Sequence, residues 1–237
     1  MKIEILYPEI CCLYGDKGNT QFLKKCLPEA EFIETGLNDE PAFLSGDVAL
    51  VYMCSMSEKS QEIVIQRLSK WRETMGEMMK SGNTLFLFVG NALEILGKYI
   101  KREDGSKIDA LKFYDSYTVR QTPKRFNTLI KSKFENMILL GYTSRFAHTY
   151  DIPEEVCFAK VIVGSGMNDK SDIEGICDRN LIATYMLGPV LVTNPEFTHY
   201  ILGRIGADME KLPFEDDMKK AYDLRLKEFD KPDLELD

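Results

Sequence analysis

Histidine is nearly missing from this sequence. His148 and His199 are the only two in 237 residues, so any chemistry that pairs a nucleophile with an imidazole must use one of them. The cysteines Cys11, Cys12, Cys26, Cys54, Cys157 and Cys177 contain no CxxC pair. That disfavours a zinc ribbon or a thioredoxin-type motif, and no metal site is expected. Long apolar runs are missing too. Stretches such as Thr84 to Val89 fall far short of the roughly 20 residues that cross a bilayer, so no membrane insertion is expected. The opening Met1-Lys2-Ile3-Glu4-Ile5-Leu6-Tyr7 reads as a strand and not as a signal peptide. A cytoplasmic location with reduced thiols follows as the expectation. There is no excess of positive charge: 30 Lys and Arg face 38 Asp and Glu, a net charge of −8. A nucleic-acid partner needs a basic face, so none is expected.

What is present is an ordinary globular balance, 44% hydrophobic and 29% charged, enough to bury a sizeable core. No repeat, low-complexity linker or domain boundary interrupts it. One domain is expected over residues 1–229, followed by an acidic, fraying tail at 230–237. Lys2 to Tyr7 reads as a strand, Tyr14 to Thr20 as a turn-rich loop, and Asn19 to Leu27 as a helix. Asp47 to Met53 and Thr84 to Val89 are continuous apolar strands of the kind buried in a parallel sheet. Between them Val64, Leu68, Trp71, Met75 and Met78 step by four and three, which predicts one helix from Ser57 to Ser81. Gly82-Asn83 ends it. After the turn at Gly90-Asn91, Ala92 to Ile100 reads as a helix. The alternation argues for an α/β fold with a mainly parallel sheet flanked by helices. Five further strands follow, at Phe113 to Arg120, Phe126 to Lys131, Met137 to Tyr142, Val156 to Val163 and Leu181 to Met186. Their close spacing suggests antiparallel additions at the sheet edge. Helices close the chain at Asn194 to Ile205 and Glu215 to Glu228.

Two turns invite a functional reading. Gly15-Asp16-Lys17-Gly18-Asn19-Thr20 has neither the glycine spacing nor the Gly-Lys-Ser/Thr ending of a phosphate-binding P-loop. It remains a strand-to-helix turn or a ligand-facing loop at a helix N-terminus. For Asp16 and Asn19 the plain reading is turn formation and helix capping, and for Asp115 a hydrogen bond to neighbouring backbone. The second turn, Phe88-Val89-Gly90-Asn91-Ala92, stands where α/β hydrolytic enzymes place a nucleophile on a strained elbow. Its apex is Gly90, which carries no side chain to attack with.

Taken in order, several motifs resemble the CobB/CobQ-type class I glutamine amidotransferases, in particular the GatD-type glutaminase subunit of lipid II isoglutaminyl synthase. They are Leu13-Tyr14-Gly15-Asp16-Lys17-Gly18-Asn19, Asp47 to Met53, Gln61, Leu96-Gly97-Lys98-Tyr99-Ile100, Asp104-Gly105, Phe113 to Thr118, Thr149-Tyr150, and Thr184-Tyr185-Met186-Leu187-Gly188-Pro189. The resemblance implies a flavodoxin-like amidotransferase fold. It also implies a partner, a Mur-ligase-like ATP-dependent synthetase acting on a cell-wall precursor, and no cofactor. The family's nucleophilic cysteine falls at Gly90 and its histidine at Leu187. Its glycine-rich oxyanion turn falls at Cys54-Ser55-Met56, and an arginine before Thr-Tyr falls at His148. No catalytic residue is therefore expected, and the chain resembles a pseudoenzyme of the family. Two other readings stay open. One is a relocated nucleophile, Cys54 working with His148. The other is a sensor binding glutamine or a related small molecule in the old pocket, with Asp16, Asn19, Asn91, Glu94, Arg145 and His148 as lining candidates.

Overall fold

The computed structural model describes residues 1–231 and 234–236. Its strands are β1 (Lys2–Leu6), β2 (Glu31–Thr35), β3 (Val48–Met53), β4 (Leu85–Val89), β5 (Tyr99–Lys101), β6 (Lys107–Asp109), β7 (Tyr117–Arg120), β8 (Phe126–Phe134), β9 (Met137–Arg145), β10 (Ala147–Tyr150), β11 (Cys157–Val163), β12 (Ile173–Asp178) and β13 (Leu181–Thr184). Its helices are α1 (Lys17–Cys26), α2 (Glu58–Leu68), α3 (Arg72–Ser81), α4 (Val190–Thr193), α5 (Pro195–Arg204) and α6 (Glu215–Glu228).

Nine strands form the main sheet in the order β2-β1-β3-β4-β13-β12-β11-β8-β9. The first five run parallel and give the 2-1-3-4-5 arrangement of a flavodoxin-like sheet. The remaining strands pair antiparallel. The apolar runs explain the centre. Every side chain of Leu85–Val89 is buried, as are all but Ala49 in Val48–Met53, because helices cover both faces of a parallel sheet. In such a sheet ligands bind beyond the C-terminal strand ends where the strand order reverses. Here that point lies between β1 and β3, beside the turns at Asp16, Ser55 and Gly90.

Several expected elements differ. The helix expected over Ser57 to Ser81 is interrupted by a 3-10 turn at Ser69–Trp71, where Arg72 Nε donates to the Leu111 carbonyl at 2.6 Å. Met79 is buried where the spacing expected Met78. Ala92 to Ile100 is not an α-helix. Gly90–Leu96 forms a 3-10 stretch and β5 follows. The carbonyls of Ile95, Leu96 and Gly97 accept hydrogen bonds from Leu111, Phe113 and Lys112 at 2.8 to 2.9 Å, so they cannot serve a helix. In Phe113 to Arg120 only β7 is a strand, and it belongs to a separate four-stranded sheet, β10-β7-β5-β6. β2, β5, β6, β10 and β12 were not foreseen. The expected tail at 230–237 falls partly outside the described residues. Within them, Leu129 N–H donates to the Leu236 carbonyl at 2.6 Å.

Candidate functional site

The turn after β4 keeps the strained geometry of a nucleophile elbow. Gly90 has φ +66°, a left-handed conformation that glycine adopts without steric cost. What surrounds it is not open space. A Cβ built on Gly90 would lie 1.9 Å from Ser55 Oγ and 3.0 Å from Leu187 Cδ2. The place a nucleophilic side chain would take is thus occupied by Ser55.

Ser55 is held there by Asp16. Its hydroxyl donates to Asp16 Oδ2 at 3.1 Å, and its backbone N–H approaches the same oxygen at 3.4 Å. Asp16 therefore does not cap α1, contrary to the plain reading of its turn: no side-chain cap bond forms there. Burial pushes its carboxyl up to about 6, against the hydrogen bonds from Ser55. The next amide in the turn, Met56 N–H, donates to Asn91 Oδ1 at 3.0 Å, while Asn91 Nδ2 donates to the Met56 carbonyl at 2.7 Å. Asn91 so clasps the turn after β3 to the turn after β4. The backbone N–H groups of Ser55 and Met56 are both engaged by side chains.

A buried polar chain backs this clasp. Gln61 Nε2 donates to the Asn91 carbonyl at 2.7 Å and to Glu94 Oε2 at 2.9 Å. Tyr185 donates to Glu94 Oε1 at 3.0 Å and meets Thr149 Oγ1 at 2.7 Å. Arg120 donates to Gln61 Oε1 at 2.8 Å and Glu62 Oε1 at 3.0 Å. Burial raises the Glu94 carboxyl, opposed by its bonds to Gln61 and Tyr185. Beside these groups lies a cavity of about 150 Å³, lined by Ser55, Met56, Asn91, Glu94, Arg125 and Arg145 among others.

The CobB/CobQ-like glutamine amidotransferase domain model matches residues 2–195. The chain belongs to that family. Among curated relatives it is 26% identical over 207 residues to the GatD subunit of the glutamine-hydrolyzing lipid II isoglutaminyl synthase of Staphylococcus aureus (strain N315), covering 86% of this chain and 83% of the relative. It is 23% identical over 227 residues to the GatD subunit of Streptococcus pneumoniae (strain ATCC BAA-255 / R6), covering 91% and 86%. Two solved glutamine amidotransferases share the fold. One superposes with a TM-score of 0.55 at 12% identity, over 86% of this chain and 99% of its own. The other, from Thermotoga maritima, gives 0.51 at 13% identity, over 95% and 87%.

In this amidotransferase-family chain the remaining expected residues scatter in role. Leu187 is buried, and its N–H pairs with the Tyr142 carbonyl at 2.9 Å. Asn19 is a three-element clamp and not a turn former. Its Nδ2 donates to Tyr52 OH at 2.9 Å, and its Oδ1 accepts from Leu191 N–H at 2.9 Å. Asp115 is exposed and pairs with Lys98 at 2.9 Å. Cys54 is buried, its thiol donates to the Cys11 carbonyl at 2.6 Å, and burial pushes its pKa far up. His148 stacks on Phe126 with ring centres 4.1 Å apart and faces Asp169 at 3.9 Å. Burial lowers its pKa. His199 pairs with Glu215 at 3.1 Å, tying α5 to α6. Among the described residues neither histidine bonds a cysteine. Arg145 is buried over the Tyr185 ring at 4.5 Å. Among the described residues no helix is long and apolar enough to cross a membrane. Sequence reasoning missed the roles of Arg120 and Glu174. Both are charged residues in strands, and periodicity alone does not distinguish a buried charged residue from an exposed one.

Proposed function

We propose that this chain is a GatD-like subunit that keeps the family scaffold without its glutaminase chemistry. It would stabilise or regulate a Mur-ligase-like, ATP-dependent synthetase that amidates a cell-wall precursor in the cytoplasm. One observation carries the reading: Ser55 occupies the position a nucleophile at Gly90 would need. Glutamine hydrolysis by this class needs a thiolate, an imidazole to move its proton, and donors for the tetrahedral oxyanion. Gly90 and Leu187 can supply neither of the first two. Loss of a nucleophile or its base costs on the order of 10⁶ in kcat, and the losses do not simply add. The Ser55 and Met56 amides already have side-chain acceptors. A relocated Cys54 is disfavoured by its burial, its raised pKa and its bond to the Cys11 carbonyl. The synthetase would then draw on free ammonia or another amine.

The test is co-expression of the full chain with the Mur-ligase-like synthetase of the same genome. The expected result is co-elution with no glutamate released from glutamine, and amidation supported by ammonium. Glutamate release that disappears on Cys54→Ala would overturn the loss of activity. Failure to co-elute would overturn the subunit assignment.

A further inference from the structure

Arg125 and Arg145 also line a second, larger cavity of about 580 Å³, a volume typical of small-molecule sites. It lies between the loop joining β7 to β8, the strands β8, β9 and β10, and the loop joining β11 to β12. Lys124 and His148 share its wall. Among the described residues, none of Lys124, Arg125 and Arg145 forms an ion pair with a carboxylate. That concentration of unpaired positive charge stands out in a chain of net charge −8.

Two buried groups on this wall lack partners. Arg145 is 5% exposed, and it donates through Nη2 to the Gly166 carbonyl. Its Nε and Nη1 have no acceptor. Thr143 is 1% exposed, and its hydroxyl also has none. A buried donor left without an acceptor costs roughly 1–3 kcal/mol, more when it is charged. Both residues line the cavity.

We propose that this cavity binds a phosphate-bearing small molecule, with Arg145 and Thr143 as its buried donors and Lys124 at the rim. The charge count selects phosphate over a lone carboxylate. Lys124, Arg125 and Arg145 line the cavity with one acid, Asp169, while the buried Glu174 and Glu94 also bear on Arg145. The surplus of positive charge toward the cavity thus comes from Lys124 and Arg125 and suits a phosphate better than a lone carboxylate. Guanidinium and phosphate also form strong charge-assisted hydrogen bonds. Phe126 holds two groups of the wall in place, stacking on His148 and lying under the Lys124 ammonium at 4.8 Å. The site is independent of whether glutamine is hydrolysed.

Calorimetric titration of the full chain with pyrophosphate tests this, with inorganic phosphate and glutamate as comparators. One-to-one binding is expected, tightest for pyrophosphate or phosphate. Lys124→Ala, at an exposed position, should weaken it about tenfold, and Arg145→Lys at least as much. Lys80→Ala, at a different cavity, should leave it unchanged. Absence of binding at roughly 10 mM would overturn the proposal. So would equal weakening by Lys124→Ala and Lys80→Ala, or tighter binding of glutamate than of either phosphate.

Discussion

Gly90 is the residue on which most depends. Its φ of +66° disfavours any L side chain, and Ser55 Oγ fills the space beside it. Gly90→Ala should therefore destabilise the protein by about 2–4 kcal/mol, combining left-handed strain with overpacking. In a Ser55→Gly background the penalty should fall to about 1–2 kcal/mol, the strain alone. Urea denaturation of the four proteins in this cycle measures the difference. Equal penalties in both backgrounds would mean that Ser55 moves aside freely. The same crowding predicts that Gly90→Cys with Leu187→His does not reach family-like glutaminase rates, as assayed by glutamate release. A second residue-scale prediction concerns pH. Burial lifts the Glu174 carboxyl to about 7 and the Asp16 carboxyl to about 6. Both hold a proton more tightly when folded than when unfolded. Stability should fall as pH climbs from the ordinary carboxylate range, near 4, toward 7, and level off above that. The contribution from Glu174 is on the order of 3 kcal/mol. Glu174→Gln keeps an acceptor for the Thr184 hydroxyl and the Tyr185 amide, which Glu174 now receives at 2.7 to 3.0 Å. It should flatten the decline in urea midpoint between about pH 5 and pH 7.

At the scale of elements, β3 and β4 were legible because they are unbroken apolar runs. β2 carries Glu31 and Glu34 and shows no such run. β13, expected as an antiparallel addition at the edge, pairs parallel with β4 in the middle of the sheet. The turn at Gly90 was legible because the apolar run of β4 ends there, and the turn at Asp16 from its glycines and Asn19, while the turn at Ser55 followed only from the family resemblance. The 3-10 break at Ser69–Trp71 was not legible. Leu68 and Met75 are seven residues apart, a spacing that keeps both near one face whether or not the three residues at Ser69–Trp71 tighten. The second sheet was not legible either, because β5 and β6 are three residues each and too short to show a period. In the site, the lack of a reactive side chain at Gly90 and Leu187 could be read from residue identity. The plug could not, because the contact of Ser55 with Gly90 depends on how two separate turns meet. Asn194 shows how an expected cap acquires another task. It precedes Pro195 as foreseen but makes no side-chain cap to α5. Its amide accepts from Leu140 N–H at 2.8 Å and donates to the Leu140 carbonyl at 2.9 Å. It so closes the outer edge of β9, the last strand of the sheet. Asn194→Leu would leave both backbone groups of Leu140 without partners. The expected cost is about 2–4 kcal/mol, with faster aggregation through the exposed edge. Thermal unfolding and light scattering measure the two effects. A variant as stable and as soluble as the parent would show that the edge needs no cover.

For the molecule as a whole, the question is which of its six cysteines reaches solvent as a thiolate, since only that form attacks carbon. Cys11, Cys26 and Cys54 are buried. Burial drives Cys11 and Cys54 far above the usual thiol range and lifts Cys26 to about 11. Cys12, Cys157 and Cys177 are half-buried, and burial is the chief cause that raises Cys157 and Cys177. No described cysteine has a histidine against it to accept its proton. At about pH 7.5, where an ordinary thiol is already partly ionised, a glutamine-mimicking diazoketone should leave the intact mass of the native chain unchanged over hours. The same cysteines should alkylate readily with iodoacetamide once the chain is unfolded in denaturant, which controls for oxidation. A single adduct on the native protein, mapped to Cys54, would mean that the fold exposes and activates this thiol. The subunit would then be a glutaminase with a displaced nucleophile, not a scaffold that has lost one.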